Sequence, residues 1–502
     1  MNRRLSLGPF FAFSAISLGG LTLLILAQGY MSAIALDRWV EVLMTWVEGD
    51  FAVVNLALNY PQLPYYLLLP FHLVPLVDGP GAVFLCNCVA GALFLTFWGR
   101  WLMATGFSAV AAFLLVTAIV VHPYFLWATT NGGGEIFGFC AFALLVREVT
   151  GRDDLVGARK QISLALILAV YCISARHYLL VVLSLLPLLI FLAPARIVRT
   201  AVFSYYMVVL FPSIAVAAAY LYLNWIFQRD AFAFLREIEQ AIRAGETPLL
   251  DSPWLLLHGG SFFLPLLIGL AGSAVTAPTV VLGLARLYRQ PLDFPPAIVA
   301  AALPPLALAA GTLLSIVSHP IELLGLAVPL AMILVGRERE MVGRRPLLPT
   351  LALLLAGAAA AWISLWWWPT PDLTRWRQAV LGQPIEMPMR PLVGLGLWLA
   401  QRDDVMIDER TASGAIVARG SAAGLVTTET DLFKVAATAN QLVAHYVVVP
   451  DPATQVGALD RVNAAFPNLY SEGARGYRLV FDRGRWRVYQ RRSHRFPLDD
   501  LR

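Results

Sequence analysis

PFFAFSAISLGGLTLLILAQGYMSAIA, residues 9–35, decides the fold class of this chain. The run holds no charged side chain and follows Arg3-Arg4. A helix that crosses a bilayer needs about 20 such residues. A secretory leader would have a shorter apolar core and would close on a small-residue cleavage site, which this run lacks. It reads as a first transmembrane helix and signal anchor. Runs of the same kind recur at 80–99, 107–123, 133–147, 161–175, 178–194, 200–224, 260–285, 295–317, 320–336 and 347–368, so about eleven spans are expected. A shorter run at 64–77 reads either as a further short span or as an interfacial helix, and only Arg176-His177 separates 161–175 from 178–194.

Composition agrees. Hydrophobic residues make up 59% of the chain and charged residues 14%, against roughly 45–50% and 25% in a soluble domain. A water-soluble fold could not cover that much apolar surface, so the excess faces lipid. The net charge of +5 does not indicate nucleic acid, because the Arg residues sit in short segments between apolar runs rather than along one face. Cys86, Cys88, Cys140 and Cys172 all fall inside apolar runs and read as small buried hydrophobes, not as a disulfide framework or a metal site.

Those basic segments set the orientation. With the N-terminus inside, Arg3-Arg4, Arg100, 147–160, 196–199, 286–289 and 337–345 all fall on the cytoplasmic side, as the positive-inside rule requires. The opposite loops carry Asp37, Glu41, Glu48 and Asp50, then Glu135, then a mixed loop at 225–259. Eleven spans place everything after Trp368 outside, and Trp366-Trp367-Trp368 stands where an interfacial aromatic belt belongs. Abundant Arg and Ala with only two Lys suggest a GC-rich bacterial genome, which would make the chain an inner-membrane protein with a periplasmic outer side.

The expected organisation is thus a transmembrane domain at 1–368 and a soluble extracytoplasmic α/β domain at 369–502. The tail holds short β-branched runs at 404–408, 414–418 and 446–450, each bounded by polar turns. Two more runs flank Asp482-Arg483-Gly484, a hairpin signature, and 431–442 and 458–466 read as helices. The tail has no Gly-rich phosphate loop and no Ser/His/Asp set, so no catalytic role is assigned to it.

The first outer loop, 36–79, is the most informative for function. It reads Ala35-Leu36-Asp37-Arg38-Trp39-Val40-Glu41, continues through Glu48-Gly49-Asp50, and returns to the membrane at Asn59-Tyr60-Pro61-Gln62-Leu63-Pro64. A carboxylate at the lipid–water boundary is costly unless it is hydrated, paired or used, and spacing alone does not choose among these.

This order (an acid after the first helix, aromatic-rich juxtamembrane turns, Gly-Asp, then Tyr-Pro-x-Leu-Pro) resembles the first loop of the GT-C superfamily of membrane glycosyltransferases, which includes the protein mannosyltransferases and the aminoarabinose transferases of lipid A. The resemblance covers the topology of the whole chain, while its motifs lie within 37–67. It implies a polytopic helical bundle that takes a sugar from a polyprenyl-phosphate carrier and passes it to a glycan, lipid or protein acceptor. Asp37 matches the catalytic acid. The family commonly has a second acid beside it, where this chain has Arg38. Gly49-Asp50 and Tyr60-Pro61 match the later part of the loop, where the family shapes its acceptor cleft, and Glu41 is a further candidate for that cleft. The implied chemistry is inverting transfer, with a carboxylate as general base and the lipid phosphate as leaving group. Its developing charge requires cations or backbone donors, and no metal is specifically indicated, although a divalent ion fits such chemistry.

Outer-side candidates for the phosphate are Arg176, His177, Arg229 and His258. Arg176 at the mouth of a bundle either pairs with phosphate or snorkels to the interface. Asn131-Gly132-Gly133-Gly134-Glu135 allows close backbone approach, and Glu135 either bonds sugar or acceptor hydroxyls or caps a helix start. Ser318-His319-Pro320 is similar to a late segment that the superfamily places near the lipid phosphate, and a turn histidine is also an ordinary structural residue. Two other classes remain open. A transporter or flippase would show internal repeats and ionisable groups at mid-membrane, and no repeat is visible. A non-catalytic assembly subunit would fit Arg38.

Overall fold

The computed structural model describes residues 8–47, 50–51, 60–75, 77–151, 158–193, 195–232, 262–288, 290, 292–314, 320–342, 347–367, 370–385 and 390–492. The chain forms two compact units. One comprises Met1–Ser32, Leu56–Pro70 and Gly81–Ile385, the other Ala33–Asn55, Phe71–Pro80 and Glu386–Arg502.

The first unit is a helical bundle. Its N-terminal helix, Gly8–Ala27, buries Phe10, Ser14, Leu18, Thr22 and Ile25, a three-to-four-residue spacing that defines one stripe. Ile16 and Leu23 on the other side stand exposed, as lipid-facing residues should. The stripe meets the helix Gly81–Ala104 at two glycines: Gly99 lies under the Phe10 ring and Gly91 under Leu18. Small residues let membrane helices approach where no hydrophobic drive acts between them. Cys88 joins this seam through Thr22, Sγ to Oγ1 2.8 Å, and both Cys86 and Cys88 are buried.

Each of the expected spans corresponds to a helical element, but not always to one straight helix. Among the described residues six helices are long and apolar enough to cross a membrane, and up to eight if each of two bent pairs counts as one span. Glu135–Val149, Ala158–Ser174 and the run Tyr178–Leu192 are shorter apolar helices. Burial separates their roles: Pro320–Glu340 is 94% buried and runs through the middle of the bundle, whereas Val202–Phe227 is 17% buried and faces outward.

Three expected boundaries need correction. The run 9–35 is not one helix. It ends at Ala27, where Gly29 takes φ +86°, and a second helix, Ala33–Thr45, begins beyond; a left-handed glycine is a common helix terminator. The expected span 260–285 breaks into Phe263–Thr276 and Pro278–Leu287 at 93°, and 107–123 is continued through a 70° bend by Pro123–Thr130. In both cases a proline stands just past the break, and proline cannot donate the bond that would carry the helix on. The two breaks support each other. The Thr276 carbonyl, left over at the first, is met by a ring nitrogen of His122 at the second, 3.2 Å away. Gly357 on the helix Leu347–Ser364 packs directly on the same carbonyl. Gly357→Ala would drive a methyl into that backbone oxygen. It is expected to cost about 1–3 kcal/mol, read as a lower thermal midpoint of the detergent-solubilised protein.

The second unit holds a five-stranded sheet in the order Leu425–Val426, Val405–Met406, Tyr446–Pro450, Trp486–Arg491, Tyr477–Arg483. The first three strands pair parallel and the last three antiparallel. Tyr446–Pro450 is central and buried along nearly its whole length, which is why it reads Val-Val-Val rather than alternating. Its core comprises Met406, Phe433, Val447, Val449, Val462 and Phe466 with their neighbours. The hairpin forms as expected, turning on Gly484 and Arg485 with φ +60° and +65°, the paired left-handed conformation of a two-residue turn. The run 414–418 is a helix instead of a strand, Ser413–Arg419. Its Gly396-facing side, Ala415 and Ala418, packs on the helix Arg390–Leu399, and that helix–helix contact overrides the β-branched pair. Leu425–Val426, only two residues long, has no periodicity to betray it.

At one end of this sheet lie four acids. Asp408 accepts from the Arg461 amide at 2.7 Å, Glu409 from the Thr428 amide and hydroxyl at 2.9 and 2.7 Å, and Asp460 from Thr411 at 2.6 Å. Glu429 pairs with Arg461 at 2.8 Å.

Candidate functional site

The helix Glu135–Val149 is the centre of the candidate site in the first unit. Its start is built by the three glycines. Gly132 and Gly134 take φ +77° and +76°, which an L side chain adopts only with strain. Gly133 has a different reason: the Glu135 carboxylate folds back over it and occupies the space a Cβ would need. Asn131 ties the turn by accepting from the Gly133 amide at 2.7 Å. The N-cap is Gly134 and no side chain caps the helix. Glu135 is 8% exposed, and its Oε2 has no hydrogen-bond partner among the described residues.

One turn further along the same helix, Gly138 receives the His177 ring, whose Cε1 lies 2.9 Å from where a Cβ would stand. Residues three apart share a helix face, so the structure brings His177 to the Glu135 side of this helix. His177 is also buried, with Nε2 unpartnered among the described residues. Its ring meets Tyr171 edge-on at 5.5 Å, and the buried Tyr171 hydroxyl is likewise without a partner there. Buried polar atoms are nearly always satisfied, so three such groups in one neighbourhood mark a place prepared for something polar.

Tyr60 borders the same place. Its hydroxyl donates to the Ala175 carbonyl at 3.2 Å, and its ring lies 5.7 Å from Tyr220. Arg176, next to His177, is exposed and within electrostatic reach of Tyr60. Four expected site residues, Tyr60, Glu135, Arg176 and His177, thus fall in one region. Arg229 stands apart from them: it ends the long helix Val202–Gln228 with φ +57° and is exposed. His258 and His319 lie outside the described residues.

On another side of Glu135, the Tyr30 hydroxyl donates to Asp372 at 3.0 Å, with Arg375 at 3.6 Å. Burial pushes the Asp372 carboxyl above its usual range; Arg375 and the Tyr30 bond act against this, and the Glu135 charge adds to it. The helix Pro371–Val380 that carries Asp372 is pinned by Trp376, whose Nε1 donates to Thr130 at 2.9 Å and whose ring stacks on Trp362. Sequence reasoning missed Tyr171, Tyr30 and Asp372. The signal for Tyr171 was a hydroxyl inside an apolar span, which has to find a partner; Asp372 followed the aromatic belt with nothing to distinguish it from a solvated acid.

Asp37, Arg38, Glu41 and Asp50 belong to the second unit. Asp37, Arg38 and Glu41 are all half-buried on the helix Ala33–Thr45, whose inward face is Leu36, Trp39, Val40 and Leu43. That helix packs on Ser413–Arg419 of the sheet domain. Trp39 meets His72 at 6.2 Å, and His72 bonds Asp78 at 2.9 Å. Asp50 pairs with Val47 in a short antiparallel ribbon that closes the end of the helix. No group of three or more His, Cys, Asp or Glu side chains placed to hold a metal occurs among the described residues.

No family model and no curated protein sequence matches the chain. The fold does match a solved structure, ArnT from Cupriavidus metallidurans bound to undecaprenyl phosphate. The TM-score is 0.55 at 12% identity, over 95% of this chain and 98% of that one. The chain therefore shares the fold of that structure: an apolar helical bundle followed by a small sheet domain.

Proposed function

We propose that the chain is a membrane glycosyltransferase that takes a sugar from a polyprenyl-phosphate donor and passes it, with inversion, to an acceptor on the extracytoplasmic side. The observation that carries this reading is a fold shared, over nearly the whole of both chains, with a protein described as bound to undecaprenyl phosphate. Asp37 is the general base in this reading. It takes the proton from the acceptor hydroxyl as that oxygen attacks the anomeric carbon, and the bond to the lipid phosphate breaks on the opposite face. The departing phosphate carries the charge that must be met. Arg176 and His177 are the first candidates, with Arg229, His258 and His319 beside them. Glu41, Asp50, Tyr60 and Glu135 are the candidates for contacts to the acceptor, and the unpartnered oxygen of Glu135 supports its assignment to hydroxyl groups. The chain sits in the inner membrane with its sheet domain in the periplasm.

The test is complementation. The gene is deleted and restored either as wild type or as Asp37→Asn, and envelope glycans and lipid-linked sugars are compared by mass spectrometry. A sugar that vanishes on deletion and returns only with the wild type supports both the activity and the base. Full restoration by Asp37→Asn removes Asp37 from the mechanism and favours a non-catalytic assembly subunit, the reading to which Arg38 also points.

Gly133→Ala tests the role given to Glu135. The added methyl meets the Glu135 carboxylate, which must swing away. Transfer is expected to fall at least tenfold through a raised KM for acceptor, with the thermal midpoint nearly unchanged. Unaltered kinetics would return Glu135 to a structural role at the helix start.

A further inference from the structure

The end of the bundle remote from Glu135 carries a cavity of about 400 Å³. It is walled by Trp101, Leu144, Arg147, Lys160, Ile167 and Arg337 together with Glu148 and Glu340, which come from four different helices. Glu135 and Arg147 begin and end one helix, twelve residues and so about 18 Å apart. The two places are distinct.

The cations are held in position. Arg147 and Arg337 lie over the Trp101 ring at 5.7 and 5.9 Å. Arg337 donates to the Arg147 carbonyl at 3.1 Å and to Glu340 at 2.8 Å, and Glu340 also accepts from the Trp101 indole at 3.1 Å. Lys160 donates to the Gly151 carbonyl at 3.0 Å. Glu340 is thus committed to Arg337. Arg147 pairs with no carboxylate among the described residues, and it is exposed. Arg147 is therefore the cation of this lining that no described carboxylate neutralises.

Leu144 and Ile167 are the apolar aliphatic side chains of the lining; Leu144 is 46% exposed, and Ile162 and Leu166, on the helix that carries Ile167, are 53% and 56% exposed. Leu144 both lines the pocket and is exposed beside Arg147, an arrangement that fits a phospholipid: a phosphate at the guanidinium groups and the start of an acyl chain against Leu144. Basic pockets between membrane helices at the end marked by positive loops suit anionic headgroups.

We propose that this cavity binds an anionic phospholipid of the inner leaflet through its phosphate, with Arg147 and Arg337 as the ligands and Leu144 and Ile167 against the acyl chain. The site serves the lipid environment of the protein and is separate from the donor site.

Native mass spectrometry of the full chain in detergent tests it, with phosphatidylglycerol and phosphatidylcholine of the same acyl chains as probes. Wild type is expected to retain phosphatidylglycerol in preference to phosphatidylcholine. Arg147→Gln should weaken phosphatidylglycerol by about fivefold, the worth of one cation near a lipid phosphate, and leave phosphatidylcholine unchanged. Arg147→Lys should stay within twofold of wild type. Equal retention of the two lipids by wild type, or wild-type retention of phosphatidylglycerol by Arg147→Gln, would overturn the proposal. Displacement of the lipid by millimolar inorganic phosphate would also overturn it, because the acyl chain would then contribute nothing. Unchanged phosphatidylcholine binding shows that Arg147→Gln is folded, so a misfolded variant cannot pass for support.

Discussion

Asp37→Asn is expected to lower kcat for sugar transfer by about a hundred- to ten-thousand-fold while leaving KM for the lipid-linked donor within a few-fold. The substitution keeps the shape and a hydrogen-bonding oxygen and removes only the basicity. The loss should therefore appear in the chemical step alone. Asp37 is half-buried on a helix whose apolar face is fixed against the sheet domain, so the carboxylate is presented from a rigid element. Asp37→Glu should retain part of the activity, because basicity survives and only position is lost. The acid limb of the pH–rate profile should disappear in Asp37→Asn. A variant that loses donor affinity instead of kcat would make Asp37 a binding residue.

The second large effect is expected at the acid cluster of the sheet domain. Glu409 is 3% exposed and lies beside Asp408 and Glu429. Burial first, and then those neighbouring charges, push its carboxyl up to about 7; Asp460 is raised in the same way, by burial and by Asp408. A group whose folded pKa is raised gives stability that is fully present below its unfolded pKa, about 4.3 for Glu, and lost as pH rises through the folded value. The domain should therefore weaken as pH rises from about 4.3 to 7, the raised carboxyls of Glu409 and Asp460 acting in the same direction. Glu409→Gln removes the titrating group and keeps two hydrogen-bonding atoms for Thr428. Its thermal midpoint in the full chain should exceed that of wild type at pH 8 and lose most of that advantage at pH 4. A wild-type midpoint that rises from pH 5 to pH 8 would contradict the expected sign.

The membrane character, the helical bundle and the sheet tail were legible because each rests on composition or periodicity over many residues. Less was legible where one residue overrides its neighbours. Gly29 ends the first helix six residues before Ala35, and Pro278 folds an apolar run back on itself. Ser413–Arg419 takes its conformation from a partner distant in sequence. The candidate site divides in the same way. Tyr60, Glu135, Arg176 and His177 were found from loop chemistry, and the structure gathers them. The reason for Gly133 was not available from the loop, because it depends on where the Glu135 carboxylate turns. Tyr171 and Asp372 acquire their meaning from tertiary neighbours alone.

The contrast between Val202–Phe227, 17% buried, and Pro320–Glu340, 94% buried, bears on how such a chain can change over time. A helix turned to lipid asks of most positions only that they be apolar, and Leu, Ile, Val and Phe satisfy that almost interchangeably. Its letters can be rewritten without disturbing the architecture. A helix enclosed on all sides must match the volumes of its neighbours, so changes there have to be compensated. A bundle with several outward-facing helices can thus drift until alignment of letters fails while its path through the membrane persists.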